Sequence, residues 1–211
     1  MGKEALVVKR EILFEDKDFQ GFLPSEENDF IQVILDNYFY HPRGDQLENN
    51  KDLQQIIPYV WIINSQTKKV LAYKRSSGKN YSEKRLMDKW SCGVGGHIER
   101  EDSQNPIIDA MMRELKEEVQ MNDYPTPKIV GYLNDDSDSV GSVHFGIVAL
   151  AETAQEVKKG DDEMAILHFL SIEEMDNLFS SPDVEIESWT KLSWPFVKNY
   201  MLTLERVNSS S

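Results

Sequence analysis

The chain has 211 residues, of which 40% are hydrophobic and 28% charged, a composition typical of a soluble globular protein. Its 23 basic and 37 acidic side chains give a formal net charge of −14, which disfavours sequence-independent binding to nucleic acid because such a surface repels phosphate backbones. Small phosphorylated ligands are compatible with this charge if divalent cations screen the site. The single cysteine, Cys92, excludes an internal disulfide and a cysteine-based zinc cluster.

Membrane and export signals are not apparent in the sequence. No stretch approaches the roughly 18 consecutive apolar residues that a membrane span needs. The first six residues lack the apolar region of a signal peptide, and Leu6 stands where a myristoylation motif has Ser or Thr. We therefore expect a cytoplasmic protein with neither a membrane nor a nucleic acid as its partner.

The first quarter of the chain predicts a strand at residues 5–14 and a helix at residues 27–40, where the apolar residues recur at helical spacing. Turn residues follow at 41–45. Residues 1–55 are too few to bury a core of their own. We expect them to form an N-terminal extension that packs on a main domain at 56–207, with a frayed tail at 208–211.

The centre of the chain begins with a predicted β-hairpin, in which strands 58–64 and 70–75 flank a short polar turn. Residues 76–90 are polar and predict a loop. A helix is expected from Asn105, which is a good N-cap, with Pro106 at the first helical position. We expect Asn122 to take the left-handed position after this helix. Its apolar face comprises Ile107, Ile108, Met111, Met112, Leu115 and Val119.

The last third predicts strands at 127–133, 141–152 and 163–171, the first two joined by an acidic turn. Helices are expected at 172–179 and from Ser188 to Leu204, with Pro195 marking a break in the second helix or its true start. Strands outnumber helices, and the helices fall between and after them. The predicted fold class is therefore α+β with a mixed β-sheet.

Three carboxylates on the helix after Asn105 are the main chemical signal. Glu114, Glu117 and Glu118 lie at i, i+3 and i+4 and so project from one stripe of the helix. Taken alone, the pattern favours a solvated acidic face. A glycine-rich turn at 93–96 precedes the helix, however, and the opposite helix face is strongly apolar. An exposed carbonyl beside clustered carboxylates would suit Mg²⁺ or Mn²⁺.

The segment GGHIEREDSQNPIIDAMMRELKEEVQM at 95–121 resembles the Nudix box, in which a glycine, a glutamate and an Arg-Glu-x-x-Glu-Glu run recur at set spacing. Residues 113–118 match the second half at every fixed position, and Gly96 matches the opening glycine. The resemblance covers about residues 57–180 and implies an α/β/α sandwich with the box helix packed against the sheet. The wider chain is similar to a bacterial branch of Nudix phosphoesterases.

The sequence departs from the family pattern in three places. The loop between Gly96 and Arg113 is three residues longer than in the box. Asn105 stands where the first glutamate is expected. In the family that glutamate orients the arginine and supports the loop, and we expect Glu101 or Asp102 to take this role here. The later glycine is Gln120. None of these changes removes a carboxylate from the second half of the box.

By resemblance, Glu114 and Glu118 are the main metal ligands, and Glu117 completes the site or holds a further metal. The Gly96 carbonyl closes the site, and Arg113 orients the glutamates rather than binding substrate. The implied reaction is hydrolysis of a phosphoanhydride bond in a small nucleoside-diphosphate-linked or related metabolite, by in-line attack of a water activated by Mg²⁺ or Mn²⁺. The general base stays open. Asp161, Asp162 and Glu163 are candidates for a base or an extra ligand, although a solvated acidic turn explains them equally well.

Cationic and aromatic residues outside the box are weaker candidates for substrate binding. Arg75 and Arg85 could neutralise a phosphate, but ordinary surface roles are favoured for both. Tyr59 and Trp61 share a strand face and could stack on a flat group, with core packing favoured for Trp61.

Two histidines and the cysteine carry different expectations. His97 follows Gly96 directly and could approach the substrate. His144 lies within an apolar strand and predicts a satisfied core histidine. Cys92 predicts a small buried side chain with no redox or metal role.

Three hypotheses follow for the function. The leading one is a metal-dependent Nudix hydrolase. The second is a binding module that senses a metabolite on a Nudix fold with a weak active site, which the longer loop and the missing glutamate suggest. The third treats the N-terminal extension and the last helix as a homodimer interface.

Overall fold

A computed structural model describes residues 3–77, 86–160 and 164–208 of the chain. The strands are β1 Glu4–Lys9, β2 Gly21–Pro24, β3 Phe39–Pro42, β4 Leu53–Asn64, β5 Lys69–Arg75, β6 Trp90–Ser91, β7 Gly93–Val94, β8 Val119–Gln120, β9 Lys128–Asn134, β10 His144–Thr153, β11 Lys158–Lys159 and β12 Met164–Leu170. The helices are α1 Arg10–Phe14, α2 Phe30–Asn37, α3 Asp45–Glu48, α4 Pro106–Glu118, α5 Ile172–Ser180 and α6 Ser188–Asn208.

Ten of these strands form one mixed sheet. Its main path runs β12-β5-β4-β10-β9-β2, with β1 and β7 also paired to β4, β3 to β1, and β6 to β5. Strands β4 and β10 are parallel along their length, whereas the other pairs are antiparallel. The predicted α+β class with a mixed sheet and the predicted hairpin of β4 and β5 are confirmed.

Strand β4 divides the hydrophobic core because its successive side chains point to opposite faces of the sheet. Ile56, Val60 and Ile62 pack with the apolar side of α4 and with α1 and α2. Trp61 and Ile63 pack on the other face against the helices of the last third of the chain, α5 and α6. The sheet is therefore covered on both sides, and the predicted α/β/α sandwich is confirmed.

Helix α6 continues without a break through Pro195, so the predicted interruption there is wrong. Proline has no N–H to donate to the carbonyl four residues earlier, which weakens a helix locally. Trp194, Val197 and Met201 on either side of it are buried against the sheet. This burial holds the helix together across the missing hydrogen bond.

Two predicted elements in the first quarter are shorter than expected. The strand at 5–14 ends at Lys9, and the chain then forms α1, which places the Phe14 ring against Phe30 and Phe145. A short apolar run does not distinguish a strand from a buried helix turn. The helix at 27–40 spans only Phe30–Asn37, because Asp29 caps its start and β3 pairs with β1 directly afterwards.

The N-terminal segment shares the sheet with the rest of the chain. β1 pairs with the first residues of β4, and β2 pairs with β9 at the opposite edge. β4 itself crosses the expected boundary at residue 55. The division into an extension and a main domain stays a prediction. Among the described residues, no helix has both the length and the apolar character of a membrane span.

Candidate active site

Helix α4 begins as the sequence predicts. The Asn105 side chain accepts a hydrogen bond from the Ile108 amide, and Pro106 occupies the first turn. The apolar face, which includes Met111 and Leu115, is buried against the sheet. This docking orients the carboxylate stripe toward the glycine-rich turn.

The end of α4 differs from the expectation for Asn122. The helix stops at Glu118, and Val119 is already extended in β8, which pairs with β11. The Gly160 amide donates to the Glu118 carbonyl at 2.7 Å, and a Cβ at Gly160 would lie 2.5 Å from the Glu117 carbonyl oxygen. Gly160 therefore caps α4 from a distant part of the chain, which the local sequence did not reveal.

The three carboxylates of α4 differ in environment. Glu118 is 5% exposed, and its Oε1 accepts a hydrogen bond from the Gly95 amide at 3.1 Å. The Glu114 side chain is largely buried, while that of Glu117 is 56% exposed. Burial raises the pKa of Glu114, although Arg113 opposes the shift. Two of the three groups are thus held in a partly dehydrated site, with the third at its mouth.

Two glycines bring the turn against these carboxylates. A Cβ at Gly96 would lie 2.6 Å from Glu114 Oε1, and a Cβ at Gly95 would lie 1.9 Å from the Pro58 carbonyl oxygen. Real Cβ atoms essentially never come this close to other atoms. The backbone therefore reaches the carboxylates only because neither residue has a side chain.

Arg113 joins the turn, the loop and the carboxylates. Its Nη1 donates to Glu114 Oε1 at 2.8 Å and to Glu117 Oε2 at 3.3 Å, and its Nη2 donates to the His97 carbonyl at 2.9 Å. Burial opposes the charge of the guanidinium, but the hydrogen bond to Asp102 and the nearby Glu114 carboxylate outweigh it and raise the pKa of Arg113. The planar guanidinium thus fixes two carboxylates at once.

Asp102 supports Arg113 from inside the lengthened loop. Its two carboxylate oxygens accept hydrogen bonds from Arg113 Nε at 3.1 Å and Nη2 at 3.0 Å, and Oδ2 also accepts from the Glu99 amide at 2.9 Å. The Asp102 carboxylate is 4% exposed, whereas Glu101 is exposed. Of the two loop candidates, only Asp102 contacts the arginine.

A cleft of about 360 Å³ opens beside the carboxylates, lined among others by Gly96, Arg113, Glu114 and Glu117. The cleft is also lined by Lys3 and Arg43 from the first quarter of the chain and by Trp189 from the last helix, α6. Several basic side chains therefore face an otherwise acidic pocket. Such a mixture is suited to a ligand that carries phosphate groups and binds together with a cation.

The weaker substrate candidates occupy varied positions. Tyr59 lines the cleft but is nearly buried, with its hydroxyl 2.6 Å from Thr190 Oγ1. Arg75 also lines the cleft and forms a close ion pair with the buried Glu187 carboxylate. The Trp61 ring is buried and stacks on another tryptophan, so its expected core role is confirmed.

The two histidines near the box lie together. His97 lines the cleft, and its Nε2 is 2.8 Å from Gln55 Oε1. Burial, followed by nearby Arg43, lowers the pKa of His97 well below its usual range, so its imidazole is neutral at neutral pH. His144 is buried and hydrogen-bonded to the Val140 carbonyl, yet it also faces the cleft, which an apolar strand alone did not predict.

Cys92 is a buried free thiol, and burial raises its pKa, in keeping with the predicted core role. Arg85, Asp161, Asp162 and Glu163 lie outside the described residues. Sequence reasoning missed several residues of the cleft, namely Lys3, Arg43, Glu48, Lys89, Glu187 and Trp189. Apart from Lys89, these residues are far from the box in sequence, and only their charge or aromaticity marked them.

The donor set of this site fits a hard divalent cation. Carboxylate oxygens of Glu114 and Glu118 face the glycine turn, and the Glu117 carboxylate is joined to Glu114 through Arg113. Oxygen ligands of this kind are those that Mg²⁺ and Mn²⁺ prefer in proteins. The chemistry of the residues and the closeness of the turn are both compatible with such an ion.

Comparisons with known proteins agree with this geometry. Residues 54–190 match the NUDIX domain family. The Bacillus subtilis protein YmaB is 28% identical over 205 residues, which are 90% of this chain and 95% of YmaB. The structure of Tm1382, assigned as a Nudix hydrolase, has a TM-score of 0.76 at 25% identity and covers 93% of this chain and 99% of its own.

A more distant structure shares the fold. The NUDIX domain of Shewanella oneidensis NrtR, complexed with ADP ribose, has a TM-score of 0.50 at 13% identity and covers 69% of this chain and 88% of its own. The family match extends over more than half of the chain and includes α4 with its glycine turn. The chain therefore belongs to the NUDIX domain family and is a Nudix hydrolase.

Proposed function

We propose that the chain hydrolyses a phosphoanhydride bond in a nucleoside-diphosphate-linked metabolite and needs Mg²⁺ or Mn²⁺ to do so. The observation that carries the proposal is the packing of Gly96 against the Glu114 carboxylate, with Arg113 bridging Glu114 and Glu117. A purely structural acidic face would need neither a side-chain-free turn nor a guanidinium that fixes two carboxylates. This arrangement supports a preorganised ligand set.

In this proposal Glu114 and Glu118 hold the cation, and Glu117 and the Gly96 carbonyl complete the set. The bound ion would polarise the phosphoryl oxygens and lower the pKa of a water molecule. Arg113 keeps the two glutamates at a fixed separation, and Asp102 keeps Arg113 in place. Burial of Glu118 beside the Gly95 amide restricts that carboxylate to one orientation.

The walls of the cleft support a substrate with phosphate groups and an attached nucleoside. Lys3 and Arg43 offer positive charge on the side of the N-terminal segment, and Trp189 offers a flat apolar surface from α6. An aromatic ring of this kind can pack against a nucleobase. ADP-ribose is the first compound to test, since it is bound by a NUDIX domain of the same fold.

A substrate panel tests the proposal. The full chain is assayed with Mg²⁺ and with Mn²⁺ against ADP-ribose, NAD(H), nucleoside triphosphates, dinucleoside polyphosphates, sugar nucleotides and isoprenoid diphosphates. Released phosphate is measured after a coupled phosphatase. We expect metal-dependent release that Glu118→Gln abolishes, since glutamine keeps the shape and the acceptor for Gly95 but removes the charge.

The matched control is Glu156→Gln, which changes an exposed glutamate paired only with a neighbouring lysine at 3.5 Å among its described contacts. Equal activity of Glu118→Gln and the wild type would contradict the assignment of the metal ligands. Thermal stabilisation by one compound without turnover of any would favour the metabolite sensor. The homodimer stays a prediction, and sedimentation over a range of concentrations would reject it if the chain is monomeric throughout.

A further inference from the structure

We propose that Glu48, His97 and His144 form a second metal site, separate from the glutamates of α4, that takes a transition-metal ion such as Zn²⁺. One ligand atom from each of these residues lies within 4.8 Å of the others. The three residues come from α3, from the loop after β7 and from the start of β10. Residues so far apart in sequence are brought together only by the fold.

The hydrogen bonds of the two imidazoles set their tautomers. His144 Nδ1 is 2.6 Å from the Val140 carbonyl oxygen, which can only accept, so the proton of the neutral ring is on Nδ1 and the lone pair on Nε2. His97 Nε2 is 2.8 Å from Gln55 Oε1. Metal-binding histidines likewise donate one ring N–H to an oxygen, which fixes the tautomer of the ring.

The Gln55 side chain connects the His97 imidazole to the Glu48 carboxylate. Its amide nitrogen donates to Glu48 Oε1 at 3.3 Å, which directs its amide oxygen toward His97. The His97 proton is therefore on Nε2, and the lone pair is on Nδ1. Gln55 is itself buried on β4 and pairs with His144 in the sheet register, so its position is fixed by the backbone. One buried amide thus orients two of the three ligands.

The donor set selects a class of ion. Two imidazoles and one carboxylate suit Zn²⁺ and its first-row neighbours, whereas Mg²⁺ prefers oxygen ligands alone. Zinc ligands at about 2.0–2.1 Å would be roughly 3.3 Å apart in a tetrahedral site, so binding would draw the three side chains inward by about 1 Å. Glu48 is only half-buried and can make most of this movement.

The position of the cluster gives the ion a role. All three residues line the same cleft as Glu114, so an ion held there would be accessible to water or to a phosphate oxygen of the substrate. Lys3 and Arg43 lie nearby and oppose a cation, but both approach Glu99, at 3.1 Å and 4.0 Å. With the Glu48 carboxylate, the divalent ion would change the net charge of this cluster from −1 to +1 where a diphosphate enters, and it would tie α3 to the box loop.

Cobalt titration tests the site without relying on turnover. The full chain is stripped of metal, placed in millimolar Mg²⁺ to fill the oxygen-rich site, and titrated with Co²⁺ while the visible absorption of the ion is followed. Zinc stoichiometry is then measured by equilibrium dialysis and elemental analysis. We expect one equivalent of either ion in the wild type, with affinity lowered at least about tenfold in His144→Ala and in Glu48→Gln.

Two control variants separate this site from the proposed active site. His168→Ala removes an exposed imidazole on β12 and should bind as the wild type does. Glu114→Gln should also keep the ion, even if it loses all hydrolysis. The proposal would be overturned if His144→Ala and Glu48→Gln both bind Co²⁺ with wild-type affinity. It would also be overturned if Glu114→Gln loses Co²⁺ binding while Glu48→Gln keeps it. If His144→Ala does not fold, Glu48→Gln decides alone.

Discussion

The carboxylate of Asp102 is predicted to set the position of the Nudix-box arginine, and Asp102→Asn tests this. The native carboxylate is 4% exposed and accepts two hydrogen bonds from Arg113, at 3.1 Å and 3.0 Å. Asparagine keeps one acceptor oxygen but turns an NH₂ group toward the guanidinium. The substitution therefore removes one charge-assisted hydrogen bond and the attraction between the charges.

The expected losses of stability and of activity in Asp102→Asn follow from these contacts. A hydrogen bond to a charged group contributes about 1.5–3 kcal/mol. Arg113 keeps its bonds to the His97 carbonyl and to Glu114, so its charge is not left alone. We expect the free energy of unfolding to fall by about 2 kcal/mol, which for a chain of this length lowers Tm by about 4–8 °C. If the same energy holds Glu114 in its productive position, kcat falls by about 30-fold.

Urea denaturation and kcat measurements compare Asp102→Asn with the wild type and with Glu101→Gln. The second variant changes the neighbouring exposed carboxylate and should stay within about 0.5 kcal/mol of the wild type. The stability measurement does not depend on which substrate the enzyme uses. Equal losses in the two variants, or no loss in Asp102→Asn, would refute the reasoning.

Three further predictions concern the site and the core. Gly96→Ala should lower kcat at least about tenfold, because the new Cβ would lie 2.6 Å from Glu114 Oε1; full activity in a steady-state assay would contradict this. Tyr59→Phe should lower the free energy of unfolding in urea by about 1–2 kcal/mol, because it removes the buried hydroxyl 2.6 Å from Thr190 Oγ1 and leaves that atom its bond from the Cys92 amide; exposed Tyr38→Phe should cost nothing measurable. In EDTA, the wild type should lose stability relative to Glu114→Gln as the pH rises from 4.5 through the raised pKa of the Glu114 carboxyl. The reason is that the folded state binds the proton of this carboxyl more tightly than the unfolded state does. A difference in unfolding free energy between the two proteins that is constant with pH would contradict this prediction.

The local pattern of the sequence was sufficient for α4 and for its chemistry. Asn105 and Pro106 mark the start of the helix, and the spacing of Glu114, Glu117 and Glu118 puts three carboxylates on one stripe. These features depend on contacts within four residues, which a sequence displays directly. The continuous apolar run at 59–63, followed by a short polar turn and a second apolar run, likewise predicted two strands of the central sheet.

Tertiary contacts decided the elements whose ends lie in other parts of the chain. β3 exists because its backbone pairs with β1, although Phe39 falls within a helical pattern of apolar residues. α4 stops before Asn122 because Gly160 caps it from about forty residues away in the chain. The ends of these elements depend on hydrogen bonds between segments that are distant in sequence, so they cannot be predicted from local residue propensities.

The same distinction holds within the site. The sequence by itself determined that a stripe of carboxylates and an arginine follow a glycine turn. It left Glu101 and Asp102 as equal candidates, and only the folded loop buries Asp102 against Arg113. The meeting of Glu48 with His97 and His144 likewise requires three elements to converge on one cleft. Residue types and short-range spacing can be read directly from the sequence, whereas burial and long-range contacts arise only when separate segments pack around a common core.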